Sequence, residues 1–495
     1  MWANKKSILL VYSFLTVSTG VLAQDVPSLT LDQAIDDALA KNLNLQISRL
    51  DTDISEGDVM AAQADFDPEI FADATYSIRE TDTTVSQTVG TESDTRTYEG
   101  GVRKKIRTGA TVEVSTSLSR SDSNAITSTS LGHDLDYESN VGVEIRQPLL
   151  KGAWSDYNLA TLRKAKSSFS QAKLTVRKNI LDVVSSTEKA YWDLAYAYQN
   201  VKLKSTGVEA SQQLVAETES KFKASLASKV ELLQAQSQLA SDEEELLLAE
   251  SALEDASDAL LLLTGAMDDS YTGEILSVSE LPEKFSKVDD YNNTWIHALE
   301  ASENVAIQEE TIYQMEQDGI TAKHARRPQL DVVATGAYIG LDDTTVDNAY
   351  ENALDRDGEK WSLMLEFSMP WGQREGKAKI LQAKSYLEQE QIRLQKIKQQ
   401  LRSDVRSAWR NVNVGFKRVK NASVTLELRQ QTFDEAQAKY KRGLISFREM
   451  LDVQRDYDGA RQNYLEATKN LMEYKVTLSR LDGTLMARHG YDALN

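Results

Sequence analysis

Apolar or small side chains recur at Met450, Val453, Tyr457, Ala460, Tyr464, Ala467, Leu471, Tyr474, Leu478 and Leu481, in strictly alternating steps of three and four. A seven-residue period of this kind is the seam of a coiled coil and implies left-handed supercoiling. The same seam occurs earlier, at Leu232, Ala235, Leu239, Asp242, Leu246, Ala249, Leu253, Ala256, Leu260 and Leu263, broken only by Asp242. Each seam follows a longer proline-free helical stretch, Ala153 to Ala224 and Gly376 to Arg442. At about 1.5 Å per residue these stretches approach roughly 100 Å, which outgrows any globular core.

The two halves are copies. Phe222-Lys223-Ala224-Ser225-Leu226 lies over Tyr440-Lys441-Arg442-Gly443-Leu444. The same offset places Ala190-Tyr191 on Ala408-Trp409 and Leu263-Thr264-Gly265 on Leu481-Asp482-Gly483. A second constant offset upstream pairs Ala38-Leu39 with Ala298-Leu299 and Pro68 with Pro328, while Pro148 pairs with Pro370. A shared register over such lengths marks an internal repeat. The division expected is a signal peptide at 1–23, a first repeat at 24–263, a linker at 264–288, a second repeat at 289–482 and a tail at 483–495. The first repeat reads as a helix, strands within 69–147, a long helix at 153–224 and a helix at 229–263. The second reads as a helix, strands within 329–369, a long helix at 376–442 and a helix at 447–481. The shorter helices, from Leu31 and from Lys229, are about 35 residues each, so that two stacked end to end match one long helix. None of the 6 prolines falls inside a proposed helix, where it would cost about 3 kcal/mol.

Between the helices the period changes to two. Leu330, Val332, Ala334, Gly336 and Tyr338 form one alternating face, and Trp361, Leu363, Leu365, Phe367 and Met369 another. Their connection, Leu341 to Lys360, is rich in Asp and Glu and reads as an exposed loop. The longer first segment offers Ile70 to Arg79, Tyr98 to Ile106, Ala110 to Arg120 and Ser139 to Gln147. Strands of about 9 to 11 residues can cross a bilayer when tilted. One chain has too few of them to close a pore, so transmembrane strands require an oligomer.

Lys5 and Lys6, the apolar run Ile8 to Val17 and Val21-Leu22-Ala23 read as a secretory signal cleaved before Gln24. With 76 acidic against 56 basic residues and a net charge of −20, the surface is a poor partner for nucleic acid. The acidity fits either general solubility or a cation-favouring lumen, since net charge does not say which face carries it. There is no cysteine and there are only 4 histidines, scattered without metal-ligand spacing. Neither a phosphate-binding loop nor a nucleophile elbow is present. No cofactor and no enzymatic activity are expected.

Taken in order, these features resemble the TolC family of outer-membrane factors. Thr30-Leu-Asp-Gln-Ala-Ile-Asp-Asp-Ala-Leu-Ala-Lys-Asn42 looks like that family's opening helix. Phe66-Asp-Pro68-Glu-Ile and Arg327-Pro328-Gln-Leu look like its helix-to-strand passages, and Gln147-Pro148-Leu-Leu like its strand-to-helix return. The resemblance runs over residues 28 to 485. It implies a mainly α fold with membrane β: duplicated long coiled-coil helices forming a trimeric α-barrel of 12 helices, plus a shared transmembrane β-barrel of 12 strands. The implied role is an export channel-tunnel, for efflux or type I secretion, in the outer membrane of a Gram-negative bacterium and extending into the periplasm. Its implied partners are two further copies of the chain, a periplasmic adaptor and an inner-membrane pump. The extra length between Arg79 and Ser139 departs from the family pattern and leaves the strand count open.

The family's periplasmic tip falls on the reversals carrying Ser225, Leu226 and Ser228 and Gly443, Leu444 and Ser446. Local chemistry supports the turn independently: Gly443 can take the left-handed conformation that ends a helix, and Ser228-Lys-Val-Glu231 and Ser446-Phe-Arg-Glu449 read as capping boxes. By similarity, the tunnel-closing carboxylates map onto Glu449 and Asp452, a tip acid onto Glu231, and a tyrosine bonded near it onto Tyr440. Capping alone accounts for Glu231 and Glu449, whereas no cap explains Asp452. The family type member's tip arginine is matched here by Ile445, so Arg448 or Lys229 is a candidate substitute. A rival reading is a periplasmic coiled-coil scaffold or pump adaptor without a pore. An adaptor would show one hairpin framed by β-rich domains, and this chain shows two.

Overall fold

In the computed structural model, residues 29–80, 92–123, 134–267, 277–282, 290–356 and 358–491 are described. The expected signal and most of the linker lie outside them. The first half begins with α1 (Leu31–Lys41), α2 (Leu43–Ala64), β1 (Glu69–Glu80), β2 (Glu92–Lys105), β3 (Thr111–Ser123) and β4 (Asp134–Pro148). It continues with a single turn, α3 (Ser155–Asn158), then α4 (Ala160–Lys223) and α5 (Lys229–Thr264). The second half holds α6 (Tyr291–Ala301), α7 (Glu303–Ala325), β5 (Gln329–Asp342), α8 (Val346–Leu354) and β6 (Gly358–Ser368). Helices α9 (Arg374–Lys441), α10 (Phe447–Leu481) and α11 (Leu485–Arg488) complete it.

The long helices α4 and α9 contain 64 and 68 residues. Along each lie two stacked shorter ones: α2 and α5 beside α4, and α7 and α10 beside α9. The seam of α10 buries Met450, Ala460, Ala467, Leu471 and Leu478. Leu471 and Leu478 pack with Ala408, Val412 and Val419 of α9. A second core joins the halves, uniting Ile35 of α1, Leu181, Val184 and Leu194 of α4, Leu260 of α5, and Met472 and Val476 of α10. Asp242, the seam's one exception, is half-buried because it accepts from Ser211 Oγ of α4 and from Gln238 Nε2 at 2.7 Å. A polar residue at such a position fixes register at a cost in packing.

Two expectations need correction. The helix from Leu31 is not continuous, because Asn42 leaves the helical region (φ −61°, ψ 122°). Its Oδ1 then caps α2 by accepting from the Asn44 and Leu45 amides, and its Nδ2 donates to the Leu263 carbonyl at 3.0 Å. Ser302 makes the matching break between α6 and α7 in the second repeat. The stretch Leu341 to Lys360 is not simply a loop, since it contains α8. Thr345 caps that helix, and Ala349 and Ala353 bury completely against the ends of β4 and β5. Gly340 is the floor of this contact: a Cβ there would stand 1.9 Å from the Ala349 carbonyl oxygen.

The strands form one antiparallel meander, β1-β2-β3-β4-β5-β6. The longer first segment thus supplies four strands and the second two. Helices of the two repeats enter and leave at one end of the sheet, and β4 pairs with β5 along its length, from Tyr137↔Asp342 to Pro148↔Asp331. Neither β1 nor β6 has a partner on its outer edge, and nearly all their residues are exposed.

The C-terminal segment straps the helices together. Leu485 of α11 is fully buried in the core that joins the halves. Glu188 of α4, also fully buried, accepts from Arg488 at 3.4 Å, His489 Nε2 at 3.2 Å and Trp192 Nε1 at 3.4 Å. The other ring nitrogen of His489 faces Asp32 of α1 at 3.3 Å, and Tyr491 donates to Asp36. Burial pushes the Glu188 carboxyl up, but His489, Arg488 and Trp192 outweigh it and hold it below the ordinary value. The bond to Glu188 raises the His489 imidazole above its ordinary value. His489, which looks isolated in the sequence, is therefore the centre of an ion network linking α1, α4 and α11.

Candidate functional site

Both hairpins reverse by the same backbone device at the end farthest from the sheet. Ser225 and Gly443 stand at equivalent positions with φ of 56° and 69°. In each, the next residue's amide returns to a carbonyl inside the helix: Leu226 to Lys221 at 2.8 Å, Leu444 to Lys439 at 3.0 Å. The amides of Ser225 and Gly443 bond Phe222 and Tyr440 at 2.9 Å. This pair of bonds is the Schellman arrangement, which favours glycine in the left-handed position. Ser225 occupies it at a conformational cost of about 1–2 kcal/mol. Leu226 and Leu444 project from the two turns as exposed apolar side chains.

Serines then start the returning helices. The Ser228 hydroxyl accepts from the Glu231 amide at 3.2 Å, and the Glu231 carboxylate accepts from the Ser228 amide at 2.7 Å, a closed capping box. At the second turn Ser446 Oγ accepts from the Glu449 amide at 3.2 Å, but the box is not closed by the Glu449 carboxylate. The sequence pattern predicts two equal boxes, and only the first forms. Glu231 is thus used structurally, whereas Glu449 presents an exposed carboxylate outside the cap.

Asp452 lies one turn further along α10. It is exposed, with Arg455 at 4.0 Å, and borders a groove of about 450 Å³ with Gln234, Gln238 and Arg448. Tyr440 is half-buried and does not bond Glu231. Its hydroxyl accepts from Lys221 of α4 at 3.5 Å, and the ammonium sits 4.5 Å from the ring centroid. Burial works against the Lys221 charge, but Glu217 and the Tyr440 side chain hold its pKa above the ordinary lysine value. Behind them Ala235, Phe447 and Leu451 form a small core with Leu214 and Tyr440, so the two tips pack on each other. Lys221, Phe447 and Arg455 were not singled out in the sequence. The visible signal for the first is its place at the last turn of α4, matched by Lys439 in the repeat.

The turn chemistry gives a contrast to measure. Gly443→Val should cost about 1–2 kcal/mol locally, because a β-branched residue is forced into positive φ. Gly459→Val lies inside α10 with open space around it and should be near neutral. Limited proteolysis at the tip and an export assay in cells should both single out the first variant. Equal loss at the two positions would remove the turn argument.

Among the described residues no group of three His, Asp or Glu side chains is placed to hold a metal ion, and no helix is long and apolar enough to cross a membrane. Several solved structures share the fold. The Campylobacter jejuni CmeC outer membrane channel superposes with a TM-score of 0.67 at 16% identity, over 92% of this chain and 85% of that one. The Vibrio cholerae outer membrane protein VceC gives 0.66 at 14% identity, over 92% and 96%. The open state of the Neisseria gonorrhoeae MtrE outer membrane channel gives 0.64 at 15%, over 92% and 88%. No curated protein matches the sequence. The outer membrane efflux protein family matches residues 110–266 and 299–484, most of both repeats, which sets aside the pore-less scaffold. With this duplicated helical architecture and its attached sheet, the chain belongs to the outer membrane efflux protein family, export channels of the Gram-negative outer membrane.

Proposed function

We propose that the protein works as a homotrimer whose helical tips form the periplasmic entrance of an export duct. The observation that carries this is the combination of two long hairpins with a sheet left open at both edges. A single chain can neither close that sheet nor enclose a lumen, and copies related by rotation do both. Asp452 and Glu449 would recur around the axis, and a ring of carboxylates at a constriction favours cations. Glu231 supports the turn beside them, and Tyr440 with Lys221 ties the second hairpin to the first.

Substrate and energy come from other proteins in this reading. Leu226 and Leu444, with Ser225, Ser228, Gly443 and Ser446 around them, offer exposed apolar knobs for a periplasmic adaptor. An inner-membrane pump, in a tripartite efflux or type I secretion assembly, would deliver the cargo. No catalytic step is assigned to the chain.

Cell fractionation and light scattering test the proposal together. The protein should sediment with the outer membrane and, in detergent, behave as an elongated particle of three copies. Recovery as a compact monomer, or in the soluble periplasmic fraction, would overturn it.

A further inference from the structure

The sheet carries more strands than the resemblance implies. A barrel of 12 strands built by three copies needs four strands from each chain, and this chain has six in one continuous meander. We infer that the outer-membrane section is an eighteen-stranded barrel, with β1 of each copy paired to β6 of the next. The inference rests on the trimer proposed above and goes beyond it.

The two additional strands could in principle form a flap standing away from the wall, and three observations argue against that. First, pairing is unbroken: β2 is matched to β1 from Glu69↔Arg103 to Glu80↔Glu92, and to β3 from Ser93↔Ser123 to Lys105↔Thr111. Such register over whole strands makes them one surface.

Second, all six strands share one alternation. Residues paired across an antiparallel ladder lie on the same face. One face therefore carries Ile70, Ala72 and Ala74 of β1, then Val102 and Tyr98 of β2, then Val112, Val114 and Leu118 of β3. It continues through Val141, Val143 and Ile145 of β4, Val332, Ala334 and Tyr338 of β5, and Trp361, Leu363 and Leu365 of β6. Most of the large side chains on this face are exposed, including Ile70, Tyr98, Val102, Val114, Val143, Ile145, Trp361, Leu363 and Leu365. The opposite face carries Thr95, Thr97, Glu99 and Arg103 of β2, Ser115, Ser117 and Ser119 of β3, and Glu144 and Arg146 of β4. Ion pairs cross it, Arg103 to Glu69 at 2.8 Å and Arg146 to Glu366 at 2.8 Å. An apolar outside and a charged inside are what a barrel wall in lipid requires, and β2 and β3 have both over their middle, with Arg96, Lys104 and Arg120 of the apolar face standing toward the strand ends. A flap in water would have no use for exposed Val102, Val114 and Tyr98 on one side only.

Third, the geometry closes. Near the sheet each chain presents four helices, α2, α4, α7 and α9. At interaxial distances of about 8–10 Å they occupy an arc of roughly 32–40 Å. Six strands about 4.8 Å apart, tilted by about 35–45°, occupy roughly 35–41 Å. Four strands would occupy roughly 23–27 Å, a narrower arc than that of the helices. Six allow helices and strands to share one cylinder. The barrel is then roughly 33–39 Å across between backbones, in the size class that leaves an aqueous channel.

The experiment uses the full-length protein in liposomes, and the absence of cysteine makes single labels clean. Cysteines placed at Val114 (β3, apolar face), Ser115 (β3, polar face) and Leu363 (β6, apolar face) carry an environment-sensitive fluorophore, and quenching by brominated lipid is read. Quenching at Val114 equal to that at Leu363, with at least about fivefold less at Ser115, is expected of an eighteen-stranded wall. Quenching at Leu363 but not at Val114 would place the β2–β3 hairpin outside the wall and overturn the inference while leaving the trimeric duct. Loss of quenching at both would overturn the membrane assignment of the sheet itself. Native mass spectrometry of each labelled protein must give three copies, and two copies would overturn both the barrel size and the trimer.

Discussion

Replacing Asp452 by Asn together with Glu449 by Gln should lower the cation over anion preference of the pore by about tenfold in planar bilayers and weaken block by multivalent cations by a similar factor. If the two carboxylates line the tip aperture, six negative charges leave a narrow passage at once, while side-chain size and hydrogen-bonding capacity stay nearly constant. The turn should survive. The Ser446 hydroxyl bonds the backbone amide of Glu449, which the substitution does not touch, and the carboxylate closes no capping box. Arg455, at 4.0 Å from Asp452, stays in place, so the change in field includes a cation relieved of its partner. Asp452→Asn alone should give roughly half the effect on a logarithmic scale. Unchanged selectivity in a verified trimer would sink the aperture assignment of these residues and leave the duct itself standing.

The second large effect concerns stability. Replacing Arg488 by Met and His489 by Leu removes both cations that hydrogen-bond the fully buried Glu188 and leaves only the charge of Lys475 acting on it, and breaking a buried pair in this way costs about 3–5 kcal/mol. Adding Glu188→Leu should return most of the loss, because removing both charges avoids the uncompensated one. Chemical denaturation in detergent measures the three variants, and a double variant within about 0.5 kcal/mol of the parent would refute the strap. The pH dependence follows from the two shifts. His489 is raised above its ordinary 6.5, so its contribution is complete below that value and is lost as pH climbs through the folded one. Glu188 is lowered below its ordinary 4.5, so its contribution is complete above that value and is lost on acidification. The strap is therefore tightest between about pH 4.5 and 6.5. Asp32 and Arg488 face the same imidazole, the first reinforcing its charge and the second opposing it.

Where side-chain period alone decided an element, the sequence could be read directly. The coiled-coil seams, the two reversals and the alternating strands all follow from local pattern, and all but two of the strands have a counterpart in the other repeat. What resisted reading depends on contacts between distant segments. Asn42 looked like one more polar residue in a helix, but its side chain bonds a carbonyl of Leu263 in another element. Helix α8 hid in an acidic stretch, although Thr345 with Ala349 and Ala353 carried a cap and a small-residue face. Asp242 read as a flaw in a heptad because its partner, Ser211, lies on the neighbouring helix. At the tip, one motif spelled twice gave one closed box and one open one, a difference set by side-chain conformation that spacing cannot express.

The order of the strands bears on how the protein reaches its final state. Five pairings make the sheet, and four of them join strands that are neighbours in sequence within one repeat. Such local hairpins form early because little chain entropy is lost in closing them. The exception is β4 with β5, which must wait until α4, α5, α6 and α7 have been made, and it carries the long-range cost for the whole sheet. Once it forms, the free chain still bears two bare edges and an apolar face. Those edges are aggregation-prone until copies meet. For a chain that assembles as proposed, biogenesis is thus a race between assembly and mispairing, governed by chain concentration.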